Sequence, residues 1–387
     1  MGLDSVIDRI AEFQLRHAAL VAVFSMLLTG FFLVGILNIR LETDFTKELP
    51  QDNPYILLQN NVRDTFGGTD SVLVLVQLDP SSTSKNAVKD IRDPRVMRML
   101  LDLEGELRDE SGVDGAQSIA TVFGKIGVPG SLEGVKAALS RVPMSSQSFN
   151  KDYSATMLYV FASLGSSNEK TKALTDAVER DIGDVSAPPG IKVSITGMPP
   201  IRTTLMDILV SDAKYTMALA SAIILLLLVV TNKPLSRGFL VFLPLLLALI
   251  WTLGTMGWLD IPLSIVTVGV GAMILGLGVE YSVFYESVYR KKIGEGGSQL
   301  EAIKTSLKEV GTAIFGSAST TVVGFLALLL ASMPLMHHLG FTLALGITYC
   351  FIAALAVNPS FIVLEENIVH KILPKWTSIT VGEEVRR

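Results

Sequence analysis

Six stretches of the chain are apolar almost without interruption: Ala18–Leu37, Ala213–Thr231, Gly238–Trp258, Leu263–Glu286, Gly311–Ala331 and Leu339–Leu364. At ~1.5 Å of rise per residue, about 20 such residues cross the ~30 Å hydrocarbon layer of a bilayer. Each stretch has that length, and six transmembrane helices are predicted. The first follows Arg9, Arg16 and His17 and runs into NIRLETDF, which lacks a small-residue cleavage pattern. It is also too long for the apolar core of a signal peptide, so it is expected to remain as an uncleaved helix.

Between Asn38 and Asp212 no stretch can span a membrane, and the pattern turns amphipathic. Asp52-Asn53-Pro54 signals a helix start before YILLQNNVRDTF, and Gly67-Gly68 ends that helix. SVLVLVQL (Ser71–Leu78) predicts a strand, Pro94 opens the amphipathic helix RVMRMLLDLEGELRDE, and the next strand falls within Gly115–Phe123. A second round follows: strand Ser154–Leu164, helix NEKTKALTDAVERDIGDV and strand Ile191–Gly197, with a short helix at Ser131–Arg141 inserted between the rounds. Strand-helix-strand twice over is the order of a ferredoxin-like α+β domain. That order alone names no function.

The expected fold class is therefore a polytopic α-helical membrane protein with six transmembrane helices and one α+β domain between the first two. The expected boundaries are 1–37 for the N-terminus and first helix, 38–212 for the α+β domain, 213–364 for helices two to six, and 365–387 for a tail. Charge sets the sides. Lys233 and Arg237, then Arg290 to Lys292 with Lys304 and Lys308, then His370, Lys371 and Lys375 fall in alternate connections, whereas WLDIP and ASMPLMHH carry no Lys or Arg. By the positive-inside rule both termini are expected in the cytoplasm and the α+β domain outside the cell membrane. The stretch Ser298–Glu309 has an apolar stripe and basic residues, and is expected to lie along the cytoplasmic surface.

Composition narrows the function classes. The 387 residues are 49% hydrophobic, with a mean hydropathy of +0.48 and a net charge of −5, a balance that suggests membrane lipids and no nucleic acid as partners. One cysteine, Cys350, excludes an intrachain disulfide and suggests no thiol-ligated metal. No GxxxxGK[ST] loop and no Ser/His/Asp or Cys/His arrangement is visible, so neither an enzyme nor a cofactor is expected. His337 and His338, without acidic neighbours in sequence, read as surface residues rather than metal ligands.

One residue points to chemistry. Apart from segment ends, Glu280 is the one charged residue well inside an apolar segment, about ten residues short of the Arg290–Lys292 cluster. A carboxylate there costs about 2.5–3.5 kcal/mol on insertion scales and commonly marks an ion or proton path. Helical spacing back from Glu280 gives Gly276, Met273, Ala272 and Gly269, a small-residue stripe expected to pack against another helix. Tyr281 can hydrogen-bond the carboxylate, whereas Tyr285 and Tyr289 can serve as interfacial aromatics. Ser317, Ser319, Thr320 and Thr321 of the fifth segment are possible relay partners, and Asn358-Pro359 is expected to kink the sixth.

GLGVEYSVFYESVYRKK resembles the fourth-helix motif of the resistance–nodulation–division (RND) superfamily, in its lipid- and amphiphile-exporting, MMPL-like branch. LETDFTKELPQDNPYILLQNNVRDTFGG and GSASTTVVGFLALLLASMP resemble that branch's segments after the first helix and in the fifth. The resemblance implies a porter-type external domain, a sterol-sensing-domain-like bundle in the last five helices, and a proton relay at Glu280 with Tyr281 beside it. Two departures stand out: Glu replaces the usual Asp, and the chain holds one half where the family usually has two. The implied protein is a half-size, proton-driven exporter of hydrophobic or amphiphilic molecules that pairs with a second copy. A heteropartner, or a longer chain of which this is a piece, would serve the same geometry. The rival expectations are a lipid- or sterol-binding membrane protein without net transport and a protein-export accessory of the Sec type.

Overall fold

The computed structural model describes residues 3–66, 71–143, 145–164, 167–231 and 235–372. Gly67-Gly68, Lys233, Lys375 and all but the start of the expected tail lie outside the described residues. The chain divides into two units, one of Met1–Glu42, Lys47–Pro50 and Leu209–Arg387, the other of Thr43–Thr46 and Gln51–Ile208.

In chain order the elements begin with α1 (Leu3–Arg16), α2 (Ala18–Ile36) and α3 (Pro54–Phe66). Then come β1 (Ser71–Leu78), α4 (Pro94–Asp109), β2 (Val113–Ser118), α5 (Leu132–Leu139), β3 (Ala155–Ala162), α6 (Asn168–Asp184) and β4 (Ile191–Gly197). The four strands form one antiparallel sheet in the order β2-β3-β1-β4, with Leu73 opposite both Tyr159 and Thr196. Strand alternation selects its inner face: Val72, Val74 and Val76 of β1 and Leu158 and Val160 of β3 are fully buried, as are Met97, Leu100 and Leu107 of α4. Asp93 starts α4 by accepting from the Arg95 N–H at 2.9 Å, and Pro94 takes the first helical position, where its missing N–H costs nothing. β2 stops earlier than expected. Ser118 caps a 3-10 turn, Ile119–Phe123, and its N–H donates to the buried Glu104 carboxylate at 2.7 Å.

The unit of Met1–Glu42, Lys47–Pro50 and Leu209–Arg387 is helical, and α1 and α2 belong to it. It contains α7 (Met198–Thr231, which starts in the α+β unit), α8 (Leu235–Trp258), α9 (Val270–Gly294), α10 (Gln299–Leu326), α11 (Pro334–Ile352) and α12 (Asn358–Ile372). Among the described residues six helical segments are long and apolar enough to cross a membrane: Ala18–Ile36, Met198–Thr231, Arg237–Trp258, Thr267–Gly294, Gln299–Leu330 and Pro334–Asn367. The chain is a multi-pass membrane protein. α7 begins fifteen residues ahead of its expected apolar run; Pro199 and Pro200 occupy its first turn, where proline is tolerated.

One sequence expectation is corrected by the packing of α10. Ser298–Glu309 is not a separate surface helix but the first turns of α10, capped by the reciprocal pair Ser298 and Glu301. Its apolar stripe (Ala302, Ile303, Leu307) packs with Ala11 of α1, and Lys304 pairs with Asp8 of α1 at 3.0 Å. A protein helix therefore takes the place expected for lipid. At the expected kink, α11 passes into α12 through a π-helical turn, Ala353–Val357, just before Asn358-Pro359.

α2 and α8 meet with no side chains between them at their closest points. A Cβ on Gly254 would overlap the backbone of Phe32, and one on Gly257 would overlap the carbonyl of Gly35. Beside this contact the Trp251 indole N–H donates to the Thr29 hydroxyl at 2.9 Å.

Candidate functional site

α9 packs through one stripe, which includes Gly271, Ile274, Gly278, Tyr281, Ser282, Tyr285, Glu286 and Tyr289. A Cβ on Gly271 would press on the Met217 side chain, and one on Gly278 would overlap Cys350 and stand 3.0 Å from Leu245. Gly269 and Gly276, the glycines expected in the seam, have nothing within 4 Å of where a Cβ would stand. Within the chain the seam is therefore Gly271 and Gly278. Both faces are rich in small residues, so size alone does not choose between them.

Glu280 lies on the outward face with Gly276 and is exposed in the single chain, whereas Tyr281 is 1% exposed. Successive helix positions are 100° apart and do not face each other, so the two side chains diverge. Ser317 of α10 lies beside the Tyr281 hydroxyl. Glu280, Tyr281 and Ser317 nevertheless share a cavity of about 390 Å³ between α9 and α10, with apolar walls from Phe284, Val288, Val310, Ala313 and Ile314. A second carboxylate, Glu309, lines the same cavity. Sequence reasoning missed it because it stands at the end of the stretch read as a surface helix.

The other hydroxyl candidates separate. Thr320 donates to the Ser317 carbonyl at 2.8 Å and Thr321 donates to the same carbonyl at 3.0 Å, so both bond back to their own helix. Ser319 is half-buried and does not line the cavity.

Glu286, six residues on, is 1% exposed and paired with Arg290 one turn later. Reading it as a segment end hid it, although its i,i+4 spacing to Arg290 and its place on the Gly278–Ser282 stripe were visible. Tyr285 and Tyr289 are likewise buried, at 0% and 1%, and are not interfacial. The Tyr289 hydroxyl donates to Glu366 at 3.0 Å, and the Gln299 amide donates to the same oxygen at 2.6 Å.

At the other end of the bundle, His338 Nδ1 stands 3.6 Å from the buried Glu48 carboxylate, and His337 Nε2 lies 2.6 Å from the Ala331 carbonyl. Both rings are half-buried rather than surface residues, because the segment after α2 folds back along Leu263. Among the described residues no group of three or more His, Cys, Asp or Glu side chains is placed to hold a metal ion.

The MMPL family model matches residues 40–377. The chain belongs to the MMPL family. Over 379 residues it is 36% identical to the putative membrane protein MJ1562 of Methanocaldococcus jannaschii, covering 96% of this chain and 97% of the relative. It is 29% identical over 231 residues to the apo-petrobactin exporter of Bacillus anthracis, covering 56% of this chain and 29% of that protein. The cryo-EM structure of the hedgehog release protein Disp from the water bear Hypsibius dujardini superposes with a TM-score of 0.66 at 14% identity, over 94% of this chain and 50% of Disp. The chain thus spans nearly all of the archaeal relative and half or less of the other two. Together these matches make it an MMPL-family membrane protein, and the likeness to Disp is one of fold.

Proposed function

We propose that this MMPL protein exports hydrophobic or amphiphilic molecules, lipids among them, driven by the proton gradient and working as a homodimer. The observation that carries the reading is Glu280, a carboxylate midway along a membrane-crossing helix, which opens with Tyr281 and Ser317 into an apolar-walled cavity. Protonation of Glu280 removes a charge from that wall and changes what α9 and α10 accept between them. One proton crossing 100 mV releases about 2.3 kcal/mol, enough to bias a two-state change and too little to complete one alone. The basic connections support cytoplasmic termini and an α+β unit outside the cytoplasm. The exporter relative, the apolar cavity walls and the motif likeness support an amphiphilic cargo. The outward face of α9, with Gly269, Gly276 and Glu280, is the surface that a second copy would cover.

The test is proton movement in liposomes of native lipid under an imposed pH gradient. Wild type is expected to collapse the gradient faster than Glu280→Gln, and candidate amphiphiles are expected to widen the difference. Equal rates with every amphiphile would replace transport by the lipid-binding reading.

A further inference from the structure

Glu286 is a carboxylate that the Glu280 site does not use. It lies six residues, or about 9 Å, further along α9 towards the Arg290–Lys292 end. Its Oε2 is buried without a hydrogen-bond partner in the protein, while the Arg290 guanidinium holds the other oxygen. It is not alone. The hydroxyls of Tyr285, Ser306 and Ser360 and both amide atoms of Asn358 are buried in residues of 0% exposure, likewise without a protein partner. These groups come from α9, α10 and α12, and alternate with Tyr289, Ile303, Leu307 and Ile362 of a single packed cluster.

A dry orphan of this kind is destabilising, because it has given up its bonds to water and gained none. Six such atoms left dry would weigh heavily against the narrow margin by which a native fold is ordinarily stable. Water bonding two to four polar neighbours removes that cost, and this layer offers such neighbours. Arg290 on its own helix and Arg237 at the start of α8 attract a negative carboxylate at Glu286, whereas Glu365 of α12 repels one. The nearby Tyr289 hydroxyl is committed to Glu366.

We propose that Glu286 is a second proton-carrying carboxylate, embedded in a hydrated polar layer that joins it to the basic end of the bundle. On the proposed transport reading it is the station between Glu280 and that end; its own exchange of a proton with layer water does not depend on that reading. The proton leaves the carboxyl oxygen for a neighbouring water, and Arg290 holds the carboxylate left behind.

The experiment is infrared pH-difference spectroscopy on the purified full-length protein in H2O and D2O, without substrate or gradient, together with the liposome proton assay. A carboxyl band that titrates and shifts in D2O is expected in wild type and in Glu280→Gln, and is expected to vanish in Glu286→Gln. Because that variant strands Arg290, Glu286→Gln with Arg290→Met serves as the folded control. Asn358→Leu keeps the branching and heavy-atom count and removes both orphans; it is expected to slow proton movement at least tenfold while the thermal midpoint stays unchanged. A band that survives in both Glu286 variants overturns the proposal. So does an Asn358→Leu protein that is more stable and moves protons as fast as wild type, the result for a dry layer. A Glu286 band in a protein that transports nothing would leave this inference standing and sink the transport reading. Transport without the band would do the reverse.

Discussion

The Gln14 side-chain amide donates a 2.8 Å hydrogen bond to the carbonyl of Leu355, the residue four positions before Pro359. In an unbroken α-helix that carbonyl would accept from the N–H of residue 359, which proline lacks. α1 thus supplies the donor that α12 cannot. Gln14→Leu is expected to cost about 1–3 kcal/mol, the cost of a buried acceptor left unpaired. In a Pro359→Ala background, where the helix regains its own donor, the same change should cost less than half as much. Thermal unfolding of the four proteins of this cycle in detergent measures the coupling, and equal costs in both backgrounds would refute it.

Gly276 and Gly278 separate chain packing from pairing of copies. Gly278→Val is expected to destabilise the fold by several kcal/mol, since its side chain must enter the space of Cys350 and Leu245. Gly276→Ala meets no atom of the chain and should raise stability by up to about 1 kcal/mol through helix propensity. Gly276→Leu should leave the fold intact and weaken a homodimer that uses this face. Mass measurement in detergent or nanodiscs reads the dimer, and an unchanged mass would remove this face from the proposed interface.

The relay expectations differ in size. Glu280→Asp keeps an ionisable group on a shorter arm and should retain gradient-coupled proton movement at a reduced rate, whereas Glu280→Gln should lose it by about 10²-fold or more. Ser317→Ala should slow it severalfold, and Thr321→Ala should change little, because that hydroxyl already bonds its own helix. Equal loss from the two hydroxyl variants would contradict the division drawn here.

Acid sensitivity of the α+β unit has a defined sign at Asp90. The Arg92 guanidinium, which grips both of its oxygens at 2.7 and 2.9 Å, holds the Asp90 carboxyl below its usual value, and Arg92 also stacks 3.6 Å over the Tyr153 ring. A carboxyl lowered by folding contributes stability that is fully present above the unfolded value of about 3.9 and is lost as pH falls through the folded value. Asp90→Asn should therefore cost about 1 kcal/mol at pH 7 and progressively less as pH falls through the lowered folded value. Hydrogen exchange of the β1 and β3 amides in the full chain reports it. An Asp90→Asn cost that is independent of pH would show that packing, not charge, sets its effect.

Much of this fold was legible in the sequence because burial there has a single period. Alternation marked β1 and β3, and unbroken apolar runs marked the spans, since one partner, core or lipid, decides every position. Legibility failed where two partners compete for a face. The apolar stripe of Ser298–Glu309 fits lipid and α1 equally well, and no local signal says that Leu3–Arg16 folds to meet it. The choice between Gly269–Gly276 and Gly271–Gly278 depends on Met217, Leu245 and Cys350 arriving from far along the chain. Glu280 was found because it interrupts an apolar run. Glu286 and Glu309 were not, because acids near helix ends ordinarily reach water, and only tertiary packing shows that Glu286 does not.

The glycine contact between α2 and α8 limits how this bundle can move. Helices that touch through side chains can slide by trading rotamers, but Gly254 against Phe32 and Gly257 against Gly35 leave no such layer to shear. α2 and α8 must then travel as one rigid body. Any rocking motion has to take its dividing plane elsewhere in the bundle.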